Sequence, residues 1–363
     1  MTLKHLEEYR DPEIARSVIQ EIKSRSRSPI RLMEVCGTHT VSIFRNGIRD
    51  VLPGTIALLS GPGCPVCVTA QGEIDAFIAL AQVEDVIITT FGDLIRVPGT
   101  HSSLQEERAA GRDIRVVYSA MDALDVAAAN PERQVVFLGV GFETTAPTIA
   151  GTLTMAKSKG LENFSVISAH KLAPPALDAL MQTEGVEVDG FIMPGHVSVI
   201  IGLKAYAGLF DTYRVPCVVA GFEPVDILKA IAMLVDQIES GTPAVENAYP
   251  RAVNQAGNLK AQKIMETVFQ VEDANWRGLG VIPQSGLGIN AAFEAFDAMR
   301  RFQPEVPDAP EPKGCGCGDI LTGRKIPPEC ALYKKVCTPV NPVGPCMVSS
   351  EGTCAAYYRY HSG

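Results

Sequence analysis

The sequence predicts an α/β protein: two doubly wound, Rossmann-like α/β domains facing a central cleft, followed by a loop-rich and helical C-terminal part. Three observations carry this. Short apolar runs of strand length recur between residues 30 and 220, each followed by a turn and a stretch of helix length. Polar residues and cysteines sit in the turns directly after those runs, where open α/β sheets collect ligands. After Lys313 the rhythm stops, and six of the ten cysteines lie among prolines and glycines.

Composition narrows the class of function. The chain has 363 residues, 46% hydrophobic and 20% charged, as a soluble protein with a large core requires. Its formal net charge is −9 and it has no basic run, which argues against nucleic acid or an anionic membrane as partner. The charged, helical start lacks the pattern of a secretory signal, and no apolar run reaches the roughly 18 residues of a membrane helix. A cytoplasmic protein is expected, with reduced thiols, so clustered cysteines suggest metal or redox chemistry.

Residues 1–27 read as an amphipathic helix and its exit, with Ile14, Val18, Ile19 and Ile22 as the apolar stripe and Asp11-Pro12 as its start. A strand from Ile30 to Val35 opens into CGTHT at 36–40, and a helix is expected from Val41 to Leu52. A helix N-terminus lowers the pKa of a nearby thiol, so Cys36 is expected as a thiolate, with His39 three residues on. The two suit a nucleophile and base, or two metal ligands; a buried thiol beside a capping histidine is the plainer use.

The strand at residues 55–60 leads into GPGCPVCVT at 61–69 and a helix from Gln71 to Ala81. Cys64 and Cys67 form a C-x-x-C ahead of a helix, the arrangement of a reversible disulfide; half a zinc site or a structural role competes with it. Strands follow at Val86–Thr90 and Ile114–Tyr118, with Asp93 and Arg96 near the same mouth. The first α/β domain is placed at residues 1–130.

Gln134–Val140 begins the second unit, at residues 131–240, and opens into GFETTAPT with Glu143 as the one charge of the turn. Phe164–Ser168, Gly190–Met193 and Cys217–Ala220 continue the strands. The last two place His196 and Glu223 in further turns; Cys217 reads as a core thiol. No G-x-x-x-x-G-K-[ST] and no G-x-G-x-x-G follows these strands, so a nucleotide site has little support. Two sheets with facing carboxyl ends would gather Cys36, Cys64, Cys67, Glu143, His196 and Glu223 around one cleft. For each polar residue alone, a cap or a structural contact is the commoner role.

Residues 241–363 form the third part. A helix at 224–241 leads into it, helices are expected at 254–269 and 291–302, glycine-rich loop and strand at 276–290, and a proline-rich linker at 304–313. In the tail, Cys330, Cys337, Cys346 and Cys354 are spaced 7, 9 and 8 residues apart. So loop-rich a stretch needs something to offset its ordering entropy. Four thiolates fit an Fe4S4 cluster. Zinc would take four as well but favours paired C-x(2–4)-C knuckles, absent here; disulfides or scattered core thiols are the other options.

Taken together, CGTHT at 36–40, GPGCPVCVT at 61–69, GFETTAPT at 141–148, PGHVS at 194–198, GFEP at 221–224 and the tail from CGCGDIL to CMVSSEGTCAAYYRY resemble the HypD family of hydrogenase maturation factors. The resemblance covers most of the chain. It implies a role in building the Fe(CN)2CO group of NiFe hydrogenases, with a HypC-type chaperone that brings its own cysteine and a HypE-type cyanide donor. It also implies two α/β domains around a cleft and a third part carrying a [4Fe-4S] cluster. By the same resemblance Cys36 would hold the iron with His39 beside it, and Cys64 and Cys67 would be the redox-active pair. Cys330, Cys337, Cys346 and Cys354 would ligate the cluster. Cys315 or Cys317 could replace one of the four, or the two could form a dithiol. His196 and Glu223 would line the cleft. Two alternatives are kept: a [4Fe-4S]-dependent protein disulfide reductase without a second iron site, and a non-enzymatic scaffold with zinc in the tail.

Overall fold

The computed structural model of the chain describes residues 8–306 and 310–361. The first seven residues of the expected N-terminal helix, and part of the expected linker, lie outside the described residues.

Helix α1 (Pro12–Arg25) starts where Asp11 accepts hydrogen bonds from the N–H groups of Glu13 and Ile14, with Pro12 in the first turn. Val18 and Ile22 are buried against the helix Pro224–Ser240, each side chain contributing about 1.5–3 kcal/mol. Strands β1 (Ile30–Glu34) and β2 (Ile56–Ser60) flank two helices, α2 (Gly37–Arg45) and α3 (Ile48–Val51). The single helix expected at 41–52 is therefore two. It begins earlier, making Cys36 the residue that enters it, and it breaks at Gly47, whose φ of +63° is left-handed.

The short helix α4 (Pro65–Val68) and α5 (Gln71–Gln82) lead to β3 (Val86–Thr90), β4 (Ile114–Val116), β5 (Gln134–Gly141) and β6 (Phe164–Lys171). The remaining strands are β7 (Gly190–Pro194), β8 (Cys217–Ala220), β9 (Val245–Asn247), β10 (Phe269–Trp276) and β11 (Gly280–Ile289). Cys217 is fully buried, in keeping with a core thiol. Strand β10 falls partly in a stretch read as helix and loop. Its central side chains face solvent, so it lacks the apolar run that marks the other strands.

The architecture is α/β with two sheets. One is wholly parallel, in the order β2-β1-β7-β8-β9; the other runs β10-β11-β6-β5-β3-β4, with the β10–β11 hairpin antiparallel to a parallel core. The sheets do not follow the boundaries drawn at 130 and 240. Strands β1 and β2 join β7, β8 and β9, whereas β3 and β4 join β5 and β6, so each sheet draws on both expected α/β units. Strands β9, β10 and β11 come from the expected third part. The βα rhythm tells which segments are strands but carries no mark of which sheet a strand enters.

Strand order locates the site. Counted within itself, the first sheet reads 2-1-3-4-5, and the order reverses between β1 and β7. The parallel core of the second reverses between β3 and β5. Ligands bind outside the carboxyl ends of strands at such reversals.

Candidate metal and redox site

The two reversals open into one cleft of about 190 Å³. Val35 and Cys36 follow β1, Pro194 and His196 end and follow β7, and Phe142, Thr144 and Thr145 follow β5; all of them line it, with Gly63, Trp276 and Glu351. Trp276 stacks on Phe142 at 5.9 Å, and its indole N–H donates to Ser285 Oγ at 2.8 Å.

Cys36 sits at the N-terminus of α2 in extended conformation, φ −153° and ψ 120°. Its backbone N–H donates to Glu34 Oε2 at 3.1 Å, and Thr40 Oγ1 donates to Glu34 Oε1 at 2.6 Å. Glu34 is fully buried, and burial raises its pKa to about 7. Burial likewise pushes the Cys36 thiol up to about 12, with a contribution from the Glu351 carboxyl, although the N–H groups of Thr38 and His39 pull it down. The expected helix effect is present, but desolvation outweighs it.

His39 does not share the cleft with Cys36. It is fully buried, its Nε2 donates to Gly221 O at 2.9 Å, its Nδ1 has no hydrogen-bond partner, and burial lowers its pKa to about 4. Phe222 lies between the two histidines, with ring centroids 5.0 Å from His39 and 3.8 Å from His196. His196 does face the cleft, and desolvation lowers its pKa.

The two carboxylates expected there point elsewhere. Glu223 receives Arg10 Nη2 at 2.8 Å and lines a separate polar groove with Arg45 and Asn46. Glu143 is buried, accepts the Ala173 N–H at 2.9 Å, and leaves its Oε2 without a partner. It borders a mostly apolar hollow with Pro174, Met265 and Phe269, and burial raises its pKa to about 7. Glu351 stands where a cleft carboxylate was expected: it accepts from Thr38 Oγ1 at 2.5 Å, and burial raises its pKa. One signal could have found it, since it is the only acidic residue between Cys330 and Cys354. Glu34, read as part of a strand, carried no such signal.

Cys64 and Cys67 are disulfide-bonded, with Cα atoms 5.2 Å apart, and Cys64 caps α4. The loop that holds them abuts Cys36: the Gly37 N–H donates to Gly63 O at 2.9 Å. On its other side Ser349 Oγ lies 3.4 Å from Cys64 Sγ, at the end of the helix Pro345–Val348 that carries Cys346. The tail is fastened to α2 as well, with Tyr357 edge-on to Phe44 at 4.5 Å.

All six tail cysteines line one small space, walled otherwise by Ile320, Leu332, Tyr333, Gly344 and Met347. The Gly316 N–H points at Cys330 Sγ (3.4 Å) and the Val343 N–H at Cys337 Sγ (3.3 Å), the donors that thiolates on a cluster use. Among the described residues no three His, Cys, Asp or Glu side chains are drawn together to hold a single ion. A cluster asks for a wider arrangement, one thiolate per iron, and four donors from this apolar nest fit it. Cys317 Sγ lies 3.1 Å from Cys346 Sγ.

A family model described as the hydrogenase formation hypA family, HypD, matches residues 13–361. The chain is 45% identical over 368 residues to the hydrogenase maturation factor HypD of Cupriavidus necator, covering 99% of this chain and 97% of that protein. Against HypD of Rhizobium leguminosarum bv. viciae the identity is 46% over 369 residues, 99% and 96% of the two chains. For Escherichia coli HypD it is 43% over 366 residues, 99% and 98%.

Proposed function

Since the chain belongs to the HypD family of hydrogenase maturation factors, we propose that it is the scaffold on which the Fe(CN)2CO group of a NiFe hydrogenase is assembled, together with a HypC-type chaperone and a HypE-type cyanide donor. The observation that supports this reading most is a continuous path. It runs from Cys36 in the cleft, through Gly63, to the Cys64–Cys67 disulfide, and through Ser349 to the nest of six cysteines.

The iron is cargo, and Cys36 is its holder in this reading. Cyanide and carbon monoxide are strong-field ligands that need a soft, electron-rich iron, and a thiolate suits such a centre better than a carboxylate. Binding the metal would take the Cys36 proton, which the nearby Glu351 carboxyl is placed to receive. A cysteine from the chaperone, entering the cleft opposite Cys36, would complete a bridge that can later be broken.

Freeing cyanide from a thiocyanate carrier is a two-electron reduction. The Cys64/Cys67 dithiol can supply both electrons. It closes to the disulfide, while the carrier sulfur takes one proton as a thiol and the other proton leaves with cyanide or is released as cyanide binds iron. A [4Fe-4S] cluster held by four of the six tail cysteines would supply electrons to return the disulfide to the dithiol. Ser349 and the helix carrying Cys346 keep the nest packed against that disulfide.

The test is the infrared spectrum and iron content of the protein purified without oxygen together with its chaperone. Bands of metal-bound cyanide and carbonyl with about five irons per complex, four of them in the cluster, are the expected result. About four irons and no bands, from cells that make all the partners, would favour a cluster-dependent protein disulfide reductase. Zinc in place of iron would leave only a metal-binding scaffold.

A further inference from the structure

The tip of the β10–β11 hairpin, Trp276-Arg277-Gly278-Leu279, is wedged between the disulfide loop and the cysteine nest. On one side it grips the chain that follows Cys67. Thr69 bridges to Trp276, the Arg277 N–H donates to Val68 O at 2.9 Å, Arg277 Nε to Thr69 O at 3.0 Å, and Nη2 to Gln71 Oε1 at 3.0 Å. On the other side its backbone meets the residue after Cys317: a Cβ on Gly278 would lie 2.3 Å from Gly318 Cα. Both positions are glycine, which is what permits so close an approach.

Arg277 is only 2% exposed. A guanidinium does not lose its proton in a protein, so this is a fixed positive charge inside the molecule. Its side-chain partners are a carbonyl and an amide oxygen, neither of them charged. Glu73, a carboxylate that feels it, is already bonded to Lys171 at 2.5 Å. Such a charge is costly to bury without a counter-ion, and the structure points to the one it is kept for. The charge sits beside Gly278, whose backbone packs on the residue that follows Cys317 in the nest.

We infer that Arg277 sets the reduction potential of the cluster, as a buried cation that stabilises the negative charge added when the cluster takes up one electron. The inference rests on the cluster reading of the tail. Charge near a cluster and hydrogen bonding around it are the protein's means of tuning its potential. Because the same side chain holds the carbonyl two residues beyond Cys67, the tuning charge is fixed between electron donor and acceptor.

The experiment is a redox titration of the cluster, followed by electron paramagnetic resonance, on full-length protein purified without oxygen. Arg277→Gln should shift the one-electron equilibrium at least tenfold toward the oxidised form, a fall of about 59 mV. Arg277→Lys, which keeps the charge, should stay close to the parent. Should Arg277→Gln fail to fold, Gln71→Glu does the same work with the arginine in place, since a carboxylate against Nη2 neutralises it; the same fall is expected. An unmoved potential in the neutralised variants overturns the inference, as does an equal fall in Arg277→Lys, which would trace the effect to packing. Absence of a four-iron signal from the unaltered protein would overturn the cluster reading, and this inference with it.

Discussion

Gly63 lies so close over Cys36 that a Cβ on Gly63 would stand 2.1 Å from the Cys36 nitrogen. The disulfide loop and the cysteine of the cleft are thus joined backbone to backbone, with no room for a side chain between them.

Gly63→Ala is accordingly expected to cost at least the 1–3 kcal/mol typical of overpacking, roughly speaking, because backbone rather than a flexible side chain must yield. Gly54→Ala, with nothing within 4 Å of the added atom, should change stability by no more than about 0.5 kcal/mol. Urea midpoints of the two variants check this, and equal midpoints would contradict it.

Cys36→Ala is expected to abolish the cyanide and carbonyl infrared bands while leaving the iron of the tail in place, since the nest shares no residue with the cleft. Bands that persist in this variant would remove Cys36 from its role as iron holder.

Cys64→Ser should stop hydrogenase maturation without unfolding the protein, because a serine hydroxyl takes over the cap that the Cys64 sulfur gives α4 and only the disulfide is lost. Full hydrogenase activity in cells carrying this variant alone would refute the redox role.

Glu143→Gln has a predictable pH signature. Burial raises the Glu143 pKa to about 7 in the folded chain, against an ordinary value of 4.5. The folded state therefore holds a proton that the unfolded state has released, and stability falls as pH rises from about 4.5 to about 7. The amide variant escapes that loss, so its stability relative to the parent should grow across this window by up to about 3 kcal/mol, at roughly 1.4 kcal/mol per unit. A difference that stays flat between pH 5 and pH 8 would place the Glu143 carboxyl at its ordinary value.

Most strands up to β8 were legible because each is a largely apolar run bounded by turns, and Cys36, Cys64, Cys67 and His196 stood out because reactive side chains follow those runs. Glu143 and Glu223 met the same criterion, yet their side chains turn out of the cleft, since position in a post-strand turn does not fix which way a side chain leaves it. Glu34 shows the reverse: a carboxylate at the end of a strand, on the side of Ile30 and Leu32, belongs to no motif yet is buried under Cys36. Pairing between distant strands was the least visible level. The partners of β1 are β2 and β7, and the second lies more than one hundred and fifty residues away, at Gly190–Pro194.

This interleaving bears on how the protein is made. Chains leave the ribosome from the N-terminus, and domains ordinarily fold as they emerge. Here the first sheet waits for β9 at Val245–Asn247, the second for β11 at Gly280–Ile289, and the wall of the cleft at Glu351 is made later than either. Until then Cys36 has no cover from the tail. The nascent chain passes through a stage in which its cleft thiol is open to solvent, and the arrival of the segment carrying Glu351 is what closes it.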